Sequence, residues 1–210
     1  SNRGACVQAC RYEYEIRARQ GKEDKWLSVS EDGKGTYLLN SKDLNMSEHL
    51  EKLAAAGVCS FKIEGRMKSE YYLATVVNAY RRILDGGFSE QLGRELGCAA
   101  HRDYTTAYAF GKNAKSVSYD NSQTKGSCEF IGIVRDYKNG RVSVEMRNRF
   151  HEGEKLEVLS PSDNFLKEVT VAHMRDCANE LCADAKRVQE IYSFDCAYPL
   201  HEGDIVRRRK

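Results

Sequence analysis

Asn40-Ser41-Lys42-Asp43-Leu44 and, after a helical run, Ser60-Phe61-Lys62-Ile63-Glu64-Gly65-Arg66-Met67-Lys68-Ser69-Glu70-Tyr71-Tyr72 are the segments on which the fold turns. In the second, Phe61, Ile63 and Gly65 alternate with Lys62, Glu64 and Arg66, the period of two expected where an apolar strand passes into a charged loop. Lys42 and Asp43 hold a similar place ahead of Leu44. Between them, Asn45 followed three residues later by Glu48 spells a capping box. Met46, Leu50, Leu53 and Ala54 share one helical face, and Gly57 ends that helix. A strand over Val58 to Ile63 then follows after only a Gly turn, the connection typical of a parallel sheet. Ser69 caps a second helix, in which Leu73, Val76, Val77, Tyr80 and Leu84 form a stripe that Gly86-Gly87 closes.

Strand, helix, strand, helix cannot stand alone, because both faces and both edges of a parallel sheet need cover. Residues 1 to about 90 are therefore expected to be the last part of a larger β/α (TIM-like) barrel whose other strands lie upstream, in keeping with a chain that opens on Ser1. Ligands are held at the carboxyl ends of parallel strands. Lys62, Glu64 and Arg66, with Lys42 and Asp43 beside them, are accordingly the candidate catalytic residues. A carboxylate between two cations stays ionised, and the cations can grip an anionic substrate. The competing reading is a structural ion network at the barrel mouth.

Ahead of this region, the alternation from Arg11 to Arg19 predicts a strand, as do Trp26 to Val29 and Thr36 to Leu39, with Asp32-Gly33-Lys34-Gly35 as a hairpin turn. Residues 91–127 read as a connector containing the aromatic segment Tyr104-Thr105-Thr106-Ala107-Tyr108-Ala109-Phe110-Gly111. From Cys128 the pattern becomes all strand: Phe130 to Val134, Val142 to Met146, Leu156 to Leu159, Val169 to Ala172, Val188 to Tyr192 and Ile205 to Arg207. Asn139-Gly140 marks a type I′ hairpin, and Pro161 and Pro199 fall at breaks. The segments His151-Glu152-Gly153-Glu154 and His201-Glu202-Gly203-Asp204 echo one another ahead of strands, as turns rather than metal ligands. Six short strands suit a small closed β-barrel over 128–210. The predicted class is thus α+β or α/β, a partial β/α barrel followed by an all-β barrel.

The 210 residues carry 33 basic and 31 acidic side chains, a net charge of +2 that does not by itself imply nucleic acid. Only the tail Arg207-Arg208-Arg209-Lys210 is locally basic, and it reads as a solvated end able to meet phosphate. The absence of a long apolar run or a leader predicts a cytoplasmic protein with no membrane association. Eight scattered cysteines are expected as free thiols. Cys6 and Cys10, next to Arg3 and Arg11, could offer two thiolates to one iron or zinc, an incomplete ligand set. Cys59 is expected to pack in its strand, and Cys177 and Cys182 lack partner ligands. No Gly-x-Ser-x-Gly, His-Glu-x-x-His or phosphate-loop motif is present.

Asn2-Arg3-Gly4-Ala5-Cys6-Val7-Gln8-Ala9-Cys10-Arg11, Asn40 to Leu44 and Ser60 to Ser69, in this order and spacing, resemble the peptidase U32 (collagenase-like) family. The resemblance runs through Tyr71-Tyr72 and Tyr104-Thr105-Thr106 to Arg147-Asn148-Arg149-Phe150 and Glu202-Gly203-Asp204-Ile205, nearly the whole chain. It implies a catalytic β/α barrel joined to a C-terminal module similar to the small barrel of translation factors. Members first labelled proteases have relatives that hydroxylate tRNA, ribosomal RNA or ubiquinone precursors without oxygen, several with a 4Fe-4S cluster. The tRNA branch, which modifies the wobble uridine with prephenate as co-substrate, is the most similar. The resemblance implies a tRNA partner, a possible protein partner of the same family, and a cluster carried by the full-length protein rather than by these residues alone. One cluster ligand comes from the Cys6 to Cys10 segment; Asn45 stands where some members have another, and Ala107 where many have glycine. The alternatives are a collagenase-like peptidase and a non-catalytic RNA- or protein-binding barrel module.

Overall fold

The structure, a computed structural model, describes residues 16–20, 23–27, 31–32, 35–36, 42–66, 68–111 and 126–210. The chain divides into two compact units, Ser1–Met46 with His101–Thr124, and Ser47–Ala100 with Lys125–Lys210. In the first, β1 (Ile16–Gln20) pairs antiparallel with β2 (Glu23–Leu27), and β3 (Glu31–Asp32) with β4 (Gly35–Thr36). The expected hairpin about residues 32–35 is present in the Asp32–Gly35 pairing, although β2 turns back on β1 instead of joining that hairpin. β5 (Asp43–Leu44) lies parallel to β6 (Tyr104–Thr105), with Asn45 N donating to Thr105 O at 2.9 Å. Cys6 and Cys10 lie outside the described residues.

The second unit opens on a 3-10 turn, Ser47–His49, and α1 (Leu50–Ala55). The capping-box reading at Asn45 places this helix too early: His49 takes the N-cap position and makes no side-chain cap, while Leu50 anchors the buried side. Gly57 ends it at φ +94°, a conformation without cost only to glycine. Residues 58–65 form no strand, a correction to the expected strand over Val58 to Ile63: no strand among the described residues lies alongside to satisfy its backbone, and Cys59 is exposed rather than packed.

α2 (Glu70–Gly86) starts as expected at Ser69, whose Oγ accepts from Tyr72 N at 3.2 Å. Its buried side is rotated from the expected stripe. Tyr72, Val76, Ala79 and Ile83 are inside with Tyr71 and Thr75, whereas Leu73, Val77 and Leu84 stay exposed, because the helix is apolar on more than one face. α3 (Glu90–Leu96), capped by Ser89, occupies the start of the region read as a connector and buries Glu95 and Leu96. No described helix is long and apolar enough to cross a membrane.

The remaining strands are β7 (Cys128–Lys138), β8 (Arg141–Met146), β9 (Phe150–His151), β10 (Lys155–Leu159), β11 (Glu168–Thr170), β12 (Asp184–Ala185), β13 (Ile191–Asp195) and β14 (Ile205–Arg209). Six of them form one antiparallel sheet in the order β11-β10-β14-β7-β8-β13, and β9 pairs with β12. The strand expected over Val188 to Tyr192 is displaced: β13 begins at Ile191, three residues beyond Val188, where alternate side chains Tyr192 and Phe194 turn inward. Asn139 and Gly140 take φ of +51° and +76°, as the type I′ turn requires. The sheet curls without the continuous closure of a full barrel. β11 and β13 form no ladder; the gap is spanned by Asp195 N to Ala172 O at 2.9 Å and the Arg175–Ser193 pair at 2.8 and 2.9 Å. Ile131, Val144, Phe150, Leu156, Met174, Phe194 and Val206 fill its interior, each worth about 1.5–3 kcal/mol of burial. At Gly132 a Cβ would lie 2.5 Å from Val144 Cγ1 and 2.6 Å from Glu145 O, so β7 and β8 approach as closely as they do only because that residue has no side chain.

Candidate functional site

In the first unit, the parallel β5–β6 pair brings Asp43 against the residues just ahead of β6. Arg102 grips Asp43 with Nε and Nη2 on Oδ1 at 3.0 and 2.6 Å, and its backbone N–H reaches Oδ2 at 3.0 Å. With the carboxylate only 12% exposed, these three donors fix its direction. Lys42 Nζ stands 3.7 Å from Asp103, and the His101 ring stacks on Tyr104 at 4.1 Å. Arg102 is the residue that sequence reasoning missed. Its sequence neighbourhood, His-Arg-Asp ahead of Tyr-Thr-Thr, carries no periodicity, and only the non-local pairing of β5 with β6 delivers it to Asp43.

Thr105 Oγ1 accepts from Ala107 N at 3.0 Å in the turn that follows β6. Ala107 itself has φ +47°, in the left-handed region that favours glycine. The position at which the family resemblance expects glycine is therefore one where the backbone has a reason to prefer it.

Lys62, Glu64 and Arg66 belong to the second unit. Lys62 Nζ pairs with Glu64 Oε1 at 2.9 Å, and both are largely in solvent, 84% and 74% exposed. The hydrogen bond and charge of Glu64 raise the Lys62 pKa above its ordinary value. A pair this exposed contributes little to stability. Arg66 sits exposed in the turn after Gly65, where Lys68 N donates to Gly65 O at 2.9 Å. The strand-end geometry expected for these three is replaced by an irregular, solvent-facing loop.

The basic tail is a correction of a different kind. Arg207 is fully buried, with Nη2 on Glu95 Oε2 and Nε on Glu157 Oε1 at 2.7 Å. Arg209 Nη2 reaches Glu95 Oε1 and Glu157 Oε1, both at 2.8 Å, and Arg208 binds Glu154 and Glu129. Arg207 to Arg209 are thus part of the last strand of the sheet and are paired with carboxylates, of which Glu95 is buried, so this run is not the solvated end expected, although Arg209 and Lys210 stay exposed. Cys98 and Cys128 share this interior. A hydrogen bond between the two thiols lowers the Cys128 pKa and raises that of Cys98, with Arg207 and Arg209 adding to the first effect. Tyr71, pushed up by burial, stacks on Phe130 at 5.3 Å.

Among the described residues, no three His, Cys, Asp or Glu side chains converge on a metal position. His151 ends β9 and His201 stands just ahead of a turn, with Gly153 and Gly203 in the turns at φ +81° and +89°, and Cys177 bonds Glu190 Oε1 at 3.1 Å. Lys138, Arg141, Arg147 and Arg149 are each tied to an acid, Asp136, Asp195, Glu145 and Asp184 respectively.

Comparison with known proteins bears on both regions. The profile of Peptidase family U32 matches residues 1–118, and that of the Peptidase family U32 C-terminal domain matches residues 126–207. The tRNA hydroxylation protein P1 of Bacillus subtilis (strain 168) is 31% identical over 100% of this chain and 52% of its own length. The tRNA hydroxylation protein P of Escherichia coli (strain K12) is 29% identical over 85% of this chain and 49% of its own. The 23S rRNA 5-hydroxycytidine C2501 synthase of the same organism is 37% identical over 90% of this chain and 30% of its own. The chain thus spans about half the length of the first two relatives.

Proposed function

The chain belongs to peptidase family U32, and from that membership we propose that it forms the C-terminal half of a protein that hydroxylates RNA without oxygen, its target the wobble uridine of tRNA. One observation carries this reading: similarity to relatives named for tRNA hydroxylation extends over both profile regions, covering 100% and 85% of the chain, rather than over a shared module. In this reading residues 1–90 complete a β/α barrel, 91–127 connect, and 128–210 form the C-terminal module. The protein acts in the cytoplasm on tRNA, with a second protein of the same family as a possible partner.

Lys42, Asp43, Lys62, Glu64 and Arg66 are the proposed catalytic residues. Two positive side chains four residues apart suit a small dicarboxylate such as prephenate, since a guanidinium binds a carboxylate through two parallel hydrogen bonds. Asp43, fixed by Arg102, is built to hold a polar group in one direction. Any 4Fe-4S cluster belongs to the full-length protein, with Cys6 or Cys10 as a contributor; the described residues supply no ligand set for it.

The test is mass spectrometry of tRNA nucleosides from a strain lacking the gene, complemented with wild type or with Arg66→Ala. Loss of the hydroxylated wobble uridine on deletion, restored by wild type and not by the variant, is the expected result. Intact modification in the deletion strain rejects the reading. The family's name favours a peptidase as the second reading, for which gelatin cleavage by the full-length protein, lost on Glu64→Ala, is the required outcome.

A further inference from the structure

Residues 145–151 and 184–191 run antiparallel as one ribbon. Asp184 pairs with His151 and Ala185 with Phe150, Gln189 N reaches Met146 O at 2.8 Å, and Ile191 lies opposite Glu145. Pairing across so many intervening residues collects basic side chains that are scattered in the sequence. Arg147 and Arg135 share Glu145, with N···O distances of 2.7 Å each. Arg149, His151 and Lys186 converge on Asp184, with His151 Nδ1 at 2.9 Å and Lys186 Nζ at 3.1 Å. Arg187 Nη1 reaches Glu190 at 3.2 Å.

Five full positive charges here share three carboxylates, an excess of two positive charges. The arrangement in depth matters more than the count. Glu145, Asp184 and Glu190 are sunk, at 16, 19 and 15% exposure, while Arg149, Lys186 and Arg187 stand over them at 59, 65 and 78%. A ligand approaching from solvent meets cations first. The carboxylates act from beneath to hold the cations in place, which lowers the side-chain entropy left to lose on contact. Arg208 with Glu129 and Glu154 borders the ribbon at Arg149 O and is occupied internally.

We infer that this ribbon is a contact surface for the phosphate backbone of RNA. The inference rests on the RNA reading above and adds the place of contact. Four of the five cations are arginines, whose forked donors match two phosphate oxygens. Val188, exposed in the same segment, makes an anionic membrane the competing occupant.

The test uses the intact protein, wild type and Arg149→Gln/Lys186→Gln/Arg187→Gln, titrated against fluorescent unmodified tRNA over a salt series. Glutamine keeps a hydrogen-bond donor toward each sunken acid, and circular dichroism melting checks that the fold is retained; Lys186→Gln alone serves if the triple variant does not fold. The expected result for the triple variant is an affinity loss of at least about tenfold near 0.1 M salt, with the slope of log K against log salt shallower by about two. For Lys186→Gln alone it is a loss of a few-fold with a slope change of under about one. The control Lys138→Gln/Lys155→Gln should change affinity by less than about twofold. Equal affinity and slope for wild type and ribbon variants overturns the inference. So does a variant that loses binding to phosphatidylserine vesicles while keeping tRNA. The deletion-strain measurement separates the two claims: absent modification with unaltered ribbon-variant binding sinks only the ribbon, and unaltered modification with lost binding sinks only the hydroxylation reading.

Discussion

Arg207 shows how much a single side chain can conceal in a sequence. Read along the chain it is one of four consecutive cations, yet in the fold it is wholly buried between Glu95 and Glu157. Removing one partner of a buried, hydrogen-bonded ion pair strands the other charge. Arg207→Ala is therefore expected to cost about 3–5 kcal/mol, read as a lowered midpoint in urea unfolding. Glu95→Ala should act in the same direction, and the double variant should lose less than the sum, since the two share one interaction. Ala107 offers the opposite sign. Its φ of +47° strains an L-residue by roughly 1–2 kcal/mol, of which glycine recovers part against its greater freedom in the unfolded chain. Ala107→Gly should stabilise by about 0.5–1 kcal/mol in the same assay.

α2 was legible where its signals are local. Ser69 at the start and Gly87 at φ +86° past the end bound it as the sequence reading expects, and Ser69→Ala should cost about 1 kcal/mol through the orphaned Tyr72 N–H, seen as a drop in thermal midpoint with an unchanged fold. Its buried face was not legible. Apolar residues surround more than one side, and the choice of Val76 and Ile83 over Val77 and Leu84 is made by what packs against them: Asn78 and Arg82 bond Ser160 O at 3.2 and 3.0 Å and fix the helix's rotation. The Val58 to Ile63 segment failed as a strand for the complementary reason. Alternation describes side chains, whereas a strand needs a neighbour to take its backbone groups. α3 escaped notice because a seven-residue helix with two buried positions gives too short a period to detect.

Across the molecule, acids held by cations set the response to pH. Burial pushes the Glu154 carboxyl up, but the Arg208 hydrogen bond and charge and the His151 N–H outweigh it, and the net direction is down. Asp184 and Asp195 are also held below the ordinary carboxylate range, first by their bonds to Arg149 and His173 respectively. A depressed carboxyl contributes stability above its unfolded pKa, near about 4, and loses it as pH falls through the folded value. Thermal midpoints should therefore be level from neutral pH to about 5 and fall below about 4, and Asp184→Asn should flatten that fall in a calorimetric series. The sequence by itself determined the hairpin at Asn139-Gly140, the caps of α2, the all-strand second half and the family, because each is written in adjacent residues or fixed spacings. Only the tertiary structure decided that Arg102 clamps Asp43, that Arg207 is interior and that Arg149, His151 and Lys186 meet at one carboxylate. The physical reason is that Arg149–Asp184, Arg102–Asp43 and Arg207–Glu95 join residues 35, 59 and 112 positions apart, and long-range pairing carries no signature in local periodicity or charge.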